Sequence, residues 1–123
     1  MKLAILMMLT LAWPCLGEDL ADRKTITAKE AAVLTEKVTF LDVRTTLEWL
    51  GGHVKGAVHI PHDEVAEGVA EDIPDRATPI VAYCGSGRRA ASIVESLRQQ
   101  GYTVVAVVNG GYSELVEAGM AHE

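Results

Sequence analysis

One short stretch of the chain places a nucleophile, small residues and cations side by side. It consists of Cys84, Gly85, Ser86, Gly87, Arg88 and Arg89. A loop of small residues leaves its backbone N–H groups free to converge on the cysteine sulfur and on any group attached to it. Two arginines at the start of a helix are unfavourable unless an anion binds there, and the same positive field favours the thiolate. The stretch predicts a reactive thiolate that works on an anionic substrate; the alternative is a buried, inert cysteine beside two solvated arginines.

The flanking residues predict a strand before this loop and a helix after it. Residues Ile80–Tyr83 form a short apolar run, which is typical of a buried strand. After the loop, apolar residues recur at helical spacing, at Ala90, Ile93, Val94 and Leu97. Gly101 stands where a helix commonly ends. The thiol is therefore expected at the point where a strand gives way to a helix.

Apolar and helical segments alternate along the rest of the chain. We expect strands at residues 25–26, 38–41, 57–60 and 103–108. We expect helices from a capping box of Thr27 and Glu30 to residue 35 or 36, and at 47–50, 62–70 and 112–119. This alternation predicts an α/β domain with a mainly parallel sheet. Ligands bind beyond the carboxyl ends of such strands, where residues 42–44 and 109–111 are expected to join Cys84.

The composition fits one globular domain and excludes a nucleic-acid-binding protein. The chain has 123 residues, enough for one domain with a real core. Its formal net charge is -6 at pH 7, and the sequence shows no basic stripe with interleaved aromatic residues. We therefore expect small-molecule partners and no nucleic acid; the oligomeric state is left open.

The first 17 residues have the pattern of a secretory signal peptide. Lys2 precedes an almost wholly apolar run at 3–13, and small residues, Cys15 and Gly17, occupy the −3 and −1 positions of a cleavage site. We expect export, to the periplasm if the host is bacterial, without stable membrane insertion, and a domain at 18–123. Lipid modification of Cys15 is the alternative. Cleavage leaves Cys84 as the single cysteine, which favours a reactive thiol or an intermolecular disulfide over an internal one.

Three segments together resemble the signatures of single-domain rhodaneses, in particular of the exported phage-shock-protein-E type. The first comprises residues 42–44 (DVR), 48–49 (EW) and 52–61 (GHVKGAVHIP); the second is the loop at 83–91 (YCGSGRRAA); the third comprises 101–102 (GY) and 104–112 (VVAVVNGGY). The departures are His59, where asparagine is common, and Tyr112, where tryptophan is common. The resemblance implies a five-stranded parallel sheet with helices on both faces.

The resemblance also implies a cysteine that accepts a sulfane sulfur and passes it to a thiophilic acceptor. Cys84 is then expected to take sulfur from thiosulfate or a similar donor and to give it to cyanide or a thiol. The backbone N–H groups of residues 85–89 are expected to hold that sulfur. Arg88 is expected to meet the anionic donor, whereas Arg89 either does the same or pairs with a carboxylate such as Glu48 or Asp42.

No cofactor and no metal are expected at this site. His59 and His62 are the residues nearest to a ligand pattern, but no cysteine or carboxylate completes a site at plausible spacing. Asp42, Arg44 and Glu48 are interpreted as a structural ion-pair set at the end of a strand. His53 is interpreted as a hydrogen-bonding residue that fixes its loop.

Other functions of the same residues remain as alternatives. A cysteine phosphatase or arsenate reductase of related fold needs the spacing Cys-x5-Arg, whereas Arg89 gives Cys-x4-Arg and Ala90 occupies the next position. A non-catalytic sulfur-carrier or binding module is a second alternative, although the presence of Cys84 favours an enzyme. A thiol-redox role is disfavoured because cleavage leaves no resolving cysteine.

Overall fold

A five-stranded sheet forms the centre of the computed structural model, which describes residues 25–123. Its strands are β1 (Thr25–Ile26), β2 (Thr39–Asp42), β3 (Val58–His59), β4 (Ile80–Tyr83) and β5 (Val105–Val108). Their spatial order is β1-β5-β4-β2-β3, and every neighbouring pair is parallel. The predicted α/β fold with a mainly parallel five-stranded sheet is confirmed. Because β4 is central, the loop that follows it lies between the ends of β2 and β5.

The helices in the described part of the chain follow the predicted alternation. They are α1 (Ala28–Val33), α2 (Thr46–Leu50), α3 (Val65–Asp72), α4 (Arg88–Gln99) and α5 (Tyr112–Glu117). Helix α1 begins at the predicted capping box: the Glu30 N–H donates to Thr27 Oγ1 at 3.1 Å, and the Thr27 N–H donates to Glu30 Oε1 at 2.9 Å. Helix α4 ends just before Gly101, which adopts φ +100° as the sequence indicated.

Several predicted boundaries are wrong by a few residues, for local reasons. Helix α1 ends before residue 35 because the chain continues in tighter turns, with the Leu34 N–H donating to the Ala31 carbonyl. Helix α3 was predicted at 62–70 but begins later, because the Glu64 N–H is used in a turn to the Pro61 carbonyl. The last strand begins at Val105, where its pairing with β4 starts.

Side chains that alternate along the central strands build two cores, one on each face of the sheet. One face buries Leu41, Ala82, Cys84 and Val107 against the apolar residues of α3 and α4. The other face buries Phe40, Val81, Tyr83 and Val108 against Ala31 of α1 and Leu115 of α5. Helices therefore cover both faces, as expected, and the side chain of Cys84 points towards the α4 face.

The predicted signal peptide at 1–17, including Cys15, lies outside the described residues, as do residues 18–24. Within residues 25–123, no helix is both long enough and apolar enough to cross a bilayer.

Candidate active site

Cys84 lies where β4 ends and the turn into α4 begins. Its side chain is 0% exposed, although the next residues, Gly85 and Ser86, are exposed. The Gly87 N–H donates to Cys84 Sγ at 3.0 Å. Among the five loop amides expected to hold sulfur, this is the one that contacts Sγ in the described structure. The amides of residues 85, 86, 88 and 89 stay predicted ligands of a second sulfur atom.

Gly87 makes this contact possible because of its backbone conformation. It precedes α4 with φ +93°, in the left-handed region where a side chain is strained. A Cβ there would also lie 3.0 Å from the Gly110 carbonyl oxygen. The tight turn thus aims one amide at the sulfur and lets the neighbouring loop approach.

The turn between β5 and α5 packs directly against the loop that follows Cys84. The Tyr112 N–H donates to the Cys84 carbonyl at 2.9 Å. A Cβ on Gly111 would lie 2.2 Å from the Gly85 carbonyl oxygen and 2.5 Å from that of Cys84. Residues 109–111 therefore join the cysteine at one rim, as the parallel strands predicted, but the intimate backbone contact at Gly111 was not foreseen.

Arg89 is half-buried and pairs with Glu48 through both ends of its guanidinium group. Arg89 Nη1 donates to Glu48 Oε1 at 2.7 Å, and Nη2 donates to Oε2 at 3.1 Å. This hydrogen bonding raises the pKa of Arg89, with smaller contributions from the charge of Glu48 and from the charge and hydrogen bond of Cys84. Of the two roles left open for Arg89, pairing with Glu48 is confirmed. The Nη2 atom of the same group lies beside the loop, 3.1 Å from the position that a Cβ on Gly85 would take.

Glu48 is held in turn by the N-terminus of α2. The Thr45 N–H and Oγ1–H donate to Glu48 Oε1 at 3.2 and 3.0 Å, and the Glu48 N–H donates to Thr45 Oγ1 at 3.2 Å. The hydrogen bond from Arg89, helped by those from Thr45, lowers the pKa of Glu48 to about 2. The Ser/Thr-x-x-Glu pattern at 45–48 is the sequence signal of this capping box.

Arg88 stands apart from these contacts. It is the first residue of α4, its side chain is exposed, and it forms no ion pair with any residue in the range 25–123. The two adjacent arginines therefore differ: Arg89 is committed to a carboxylate, whereas Arg88 is available to a charged molecule in solvent.

A buried ion pair of Asp42 and Arg44 supports the same rim. Arg44 Nη2 donates to Asp42 Oδ2 at 2.8 Å and to the Gly52 carbonyl at 2.6 Å. Burial alone lowers the pKa of Arg44, but the hydrogen bond and charge of Asp42 outweigh it, so the pKa is raised. The guanidinium carbon also lies 4.3 Å from the ring centre of Tyr112. The predicted ion pair of Asp42 and Arg44 is confirmed, whereas Glu48, the third member of the predicted set, pairs with Arg89.

The hydroxyl of Tyr83 forms a buried hydrogen bond that was not predicted from the sequence. The ring is fully buried at the end of β4, and its oxygen accepts a hydrogen bond from the Val54 N–H at 3.0 Å. Burial raises the pKa of Tyr83, with a further contribution from the negative charge of Asp42. Tyr83 therefore ties the central strand to the loop that follows α2.

The histidines near the rim make structural contacts. His53 Nδ1 lies 2.9 Å from the Trp49 carbonyl and its ring stacks on Trp49 with centroids 3.4 Å apart, which confirms its loop-fixing role. His59 Nε2 lies 2.8 Å from the Arg44 carbonyl. Across residues 25–123, no group of three or more His, Cys, Asp or Glu residues is arranged to hold a metal ion.

Residues 27–118 match the model of the rhodanese-like domain family. The thiosulfate sulfurtransferase PspE of Escherichia coli is 37% identical over 71 residues, which cover 58% of this chain and 68% of that protein. The thiosulfate sulfurtransferase GlpE of Pseudomonas entomophila is 28% identical over 94 residues, covering 76% of this chain and 84% of that one.

A solved structure shows the same fold. The crystal structure of a rhodanese-related protein from Thermoplasma volcanium superposes with a TM-score of 0.71 at 29% identity, covering 81% of this chain and 97% of that one. The rhodanese-like fold class inferred from the sequence is therefore confirmed.

Proposed function

Because this chain belongs to the rhodanese-like domain family, we propose that it moves a sulfane sulfur from thiosulfate, or a similar donor, to cyanide or a thiol through a persulfide on Cys84. The family match and the two relatives named thiosulfate sulfurtransferases support a sulfurtransferase activity in general. The donor, the acceptor and the covalent intermediate are the specific parts of the proposal.

The observation that carries the proposal is the position of the sulfur at the N-terminus of a 12-residue helix. The Gly87 N–H donates to Cys84 Sγ at 3.0 Å, and the guanidinium group of Arg89 lies beside the adjoining Gly85. The helix dipole, the amide and the cation all favour a negative charge at this point. A thiolate nucleophile needs no general base, which agrees with the structural roles of the nearby histidines.

The proposed reaction has two balanced steps. In the first, the Cys84 thiolate attacks the outer sulfur of thiosulfate; a new sulfur–sulfur bond forms, the bond to the sulfonate sulfur breaks, and sulfite leaves with the electron pair. In the second, cyanide attacks the outer sulfur of the persulfide, thiocyanate departs and the thiolate is restored. The amides of residues 85–89 hold the anionic outer sulfur, and Arg88 draws in the donor and stabilises the departing sulfite.

Access to the sulfur requires a local movement. The Cys84 side chain is covered on every side, and the exposed residues Gly85 and Ser86 form the outer part of its loop. We infer that the donor reaches Sγ when this short segment or the Arg89 side chain moves aside. The small side chains of the segment keep the steric barrier to such a movement low.

Intact-mass spectrometry tests the covalent step directly. Incubation with thiosulfate is expected to add about 32 Da, the mass of one sulfur atom, and subsequent cyanide is expected to remove it. Cys84→Ser is the matched control, because its hydroxyl keeps the shape of the site but cannot form a persulfide. A folded wild-type protein that gains no mass, or a Cys84→Ser variant that gains the same mass, contradicts the proposal.

We also propose that residues 1–17 direct export and are removed. Expression of the full chain in a bacterial host, followed by intact-mass analysis of the periplasmic fraction, is expected to show a chain that begins at Glu18. A full-length mass, or a mass increased by lipid at Cys15, contradicts cleavage after Gly17.

A further inference from the structure

The carboxylate of Glu48 already occupies the part of Arg89 that binds anions best. Both terminal guanidinium nitrogens of Arg89 are bonded to separate oxygens of Glu48, at 2.7 and 3.1 Å. A planar guanidinium group recognises carboxylate, sulfate and phosphate through the same bidentate face. An incoming oxyanion must therefore displace Glu48 to use that face.

The pair lies directly against the catalytic loop. A Cβ placed on Gly85 would lie 3.1 Å from Arg89 Nη2 and 3.5 Å from Glu48 Oε2. The start of α2 also holds the Glu48 side chain in place, because its carboxylate accepts two hydrogen bonds from Thr45. The negative charge next to the loop is thus built into the fold and does not come from a mobile surface side chain.

We propose that Glu48 is a positioning and specificity-determining residue: it holds the Arg89 guanidinium beside the loop that follows Cys84 and keeps free oxyanions off that guanidinium, so that Arg88 alone receives the donor's anionic group. The inference deepens the proposed function, since it takes Cys84 as the atom that the donor approaches. The consequence is selectivity against unreactive oxyanions. Sulfate and phosphate can bind one arginine at this loop, Arg88, and not two.

The rate of alkylation of Cys84 measures how strongly Glu48 excludes anions, and it requires no sulfur transfer. Iodoacetamide is neutral and iodoacetate is an anion, so the ratio of their rates reports the electrostatic environment of the thiol, while loop opening affects both rates alike. Glu48→Gln removes the charge but keeps a side chain that serves in a capping box. We expect the iodoacetate-to-iodoacetamide ratio to rise on the order of fivefold, as for the loss of one nearby unit charge. The inorganic sulfate concentration that half-protects the thiol is expected to fall by a similar factor.

Two control variants separate this role from simpler ones. Thr45→Ala weakens the cap of α2 but leaves the Glu48–Arg89 pair in place, so it mimics a purely structural contribution. Glu114→Gln removes a carboxylate that accepts the Gly111 N–H at 2.8 Å beneath the same loop, without freeing an arginine. Thr45→Ala is expected to change both readouts by less than twofold. Glu114→Gln also removes a charge near the loop and so raises the alkylation ratio, but it is expected to change the sulfate protection by less than twofold because it frees no arginine. A change in sulfate protection in either control equal to that in Glu48→Gln would overturn the proposal.

A comparison of single and double variants tests which of the two arginines binds sulfate. Arg88→Gln is expected to abolish most sulfate protection in the wild-type background and less of it in the Glu48→Gln background, where Arg89 becomes available. Equal losses in both backgrounds contradict the inference. If Glu48→Gln does not fold, a crystal structure of the unaltered protein grown with inorganic sulfate decides: sulfate beside Arg88 with the Glu48–Arg89 pair intact supports it, and sulfate in the place of Glu48 overturns it. If the wild-type protein forms no persulfide, the alkylation ratio and the sulfate protection still test the role of Glu48.

Discussion

Replacing Gly111 with alanine is expected to distort the loop that follows Cys84 through a single added methyl group. Gly111 is buried and has φ −165°, an extended conformation that alanine adopts without strain. The added Cβ would nevertheless stand 2.2 Å from the Gly85 carbonyl oxygen, 2.4 Å from its carbonyl carbon and 2.5 Å from the Cys84 carbonyl oxygen. The contacted atoms are all backbone, so no side chain can rotate away to relieve the clash.

The magnitude follows from the size of this overlap. Non-bonded heavy atoms prefer separations of about 3.5–4 Å, so the two loops must part by roughly 1 Å. Overpacking of this kind costs about 1–3 kcal/mol, and losing the hydrogen bond from the Tyr112 N–H to Cys84 adds about 1 kcal/mol. A displacement of about 1 Å at a reacting atom lowers a catalysed rate by about 100-fold. We expect Gly111→Ala to lose about 2–4 kcal/mol of stability and most of its rate of persulfide formation.

Urea unfolding and the initial rate of thiosulfate-dependent mass gain measure the two effects. Gly68→Ala is the matched control, because a Cβ there meets Ile60 Cγ2 at an ordinary 3.6 Å. Gly68 lies inside α3, where alanine is expected to stabilise by about 0.5–1 kcal/mol and to leave the loop unchanged. A Gly111→Ala protein as stable as wild type, with persulfide formation within threefold, would refute the reasoning that this backbone contact positions Cys84.

Three further predictions concern the surroundings of the loop. Asp42→Asn leaves the buried guanidinium of Arg44 without its counter-charge and is expected to cost about 3–5 kcal/mol in urea unfolding; a loss below about 1 kcal/mol contradicts it. Tyr83→Phe removes the acceptor of the buried Val54 N–H, so we expect a loss of about 1–3 kcal/mol and faster hydrogen exchange at that amide; unchanged exchange argues against it. The lowered pKa of Glu48 implies stabilisation that is complete above its ordinary value of 4.5 and is lost as the pH falls towards about 2. Because that side chain is 36% exposed, the contribution is at most about 1 kcal/mol, and an identical acid-unfolding curve for Glu48→Gln contradicts it.

The strand–loop–helix around Cys84 could be predicted because its signals are local. The apolar run of β4, the helical spacing after the loop and Gly101 lie within 22 consecutive residues, and all three are confirmed by the structure. The capping box of Thr27 and Glu30 is equally local and was found. Boundaries were less certain because the end of an element depends on which backbone groups a neighbouring turn uses, as Glu64 shows at the start of α3.

The different roles of the two arginines could not be read from the sequence. Arg88 and Arg89 are adjacent, so about 100° of helix rotation separates their side chains. Which of them faces a carboxylate depends on where Glu48 lies in space, and Glu48 is 41 positions earlier in the chain. The close contact of Gly111 with Gly85 could not be predicted either, because it depends on the register of β4 and β5.

The Gly87 amide gives this domain an internal probe of its own chemical state. Its proton points at Cys84 Sγ across 3.0 Å, so its NMR chemical shift depends on the charge and size of the group that accepts it. Thiol, thiolate, persulfide and alkylated sulfur present four different acceptors to one proton. A single backbone resonance can therefore follow the proposed loading and unloading of sulfur on Cys84 without a chromogenic substrate.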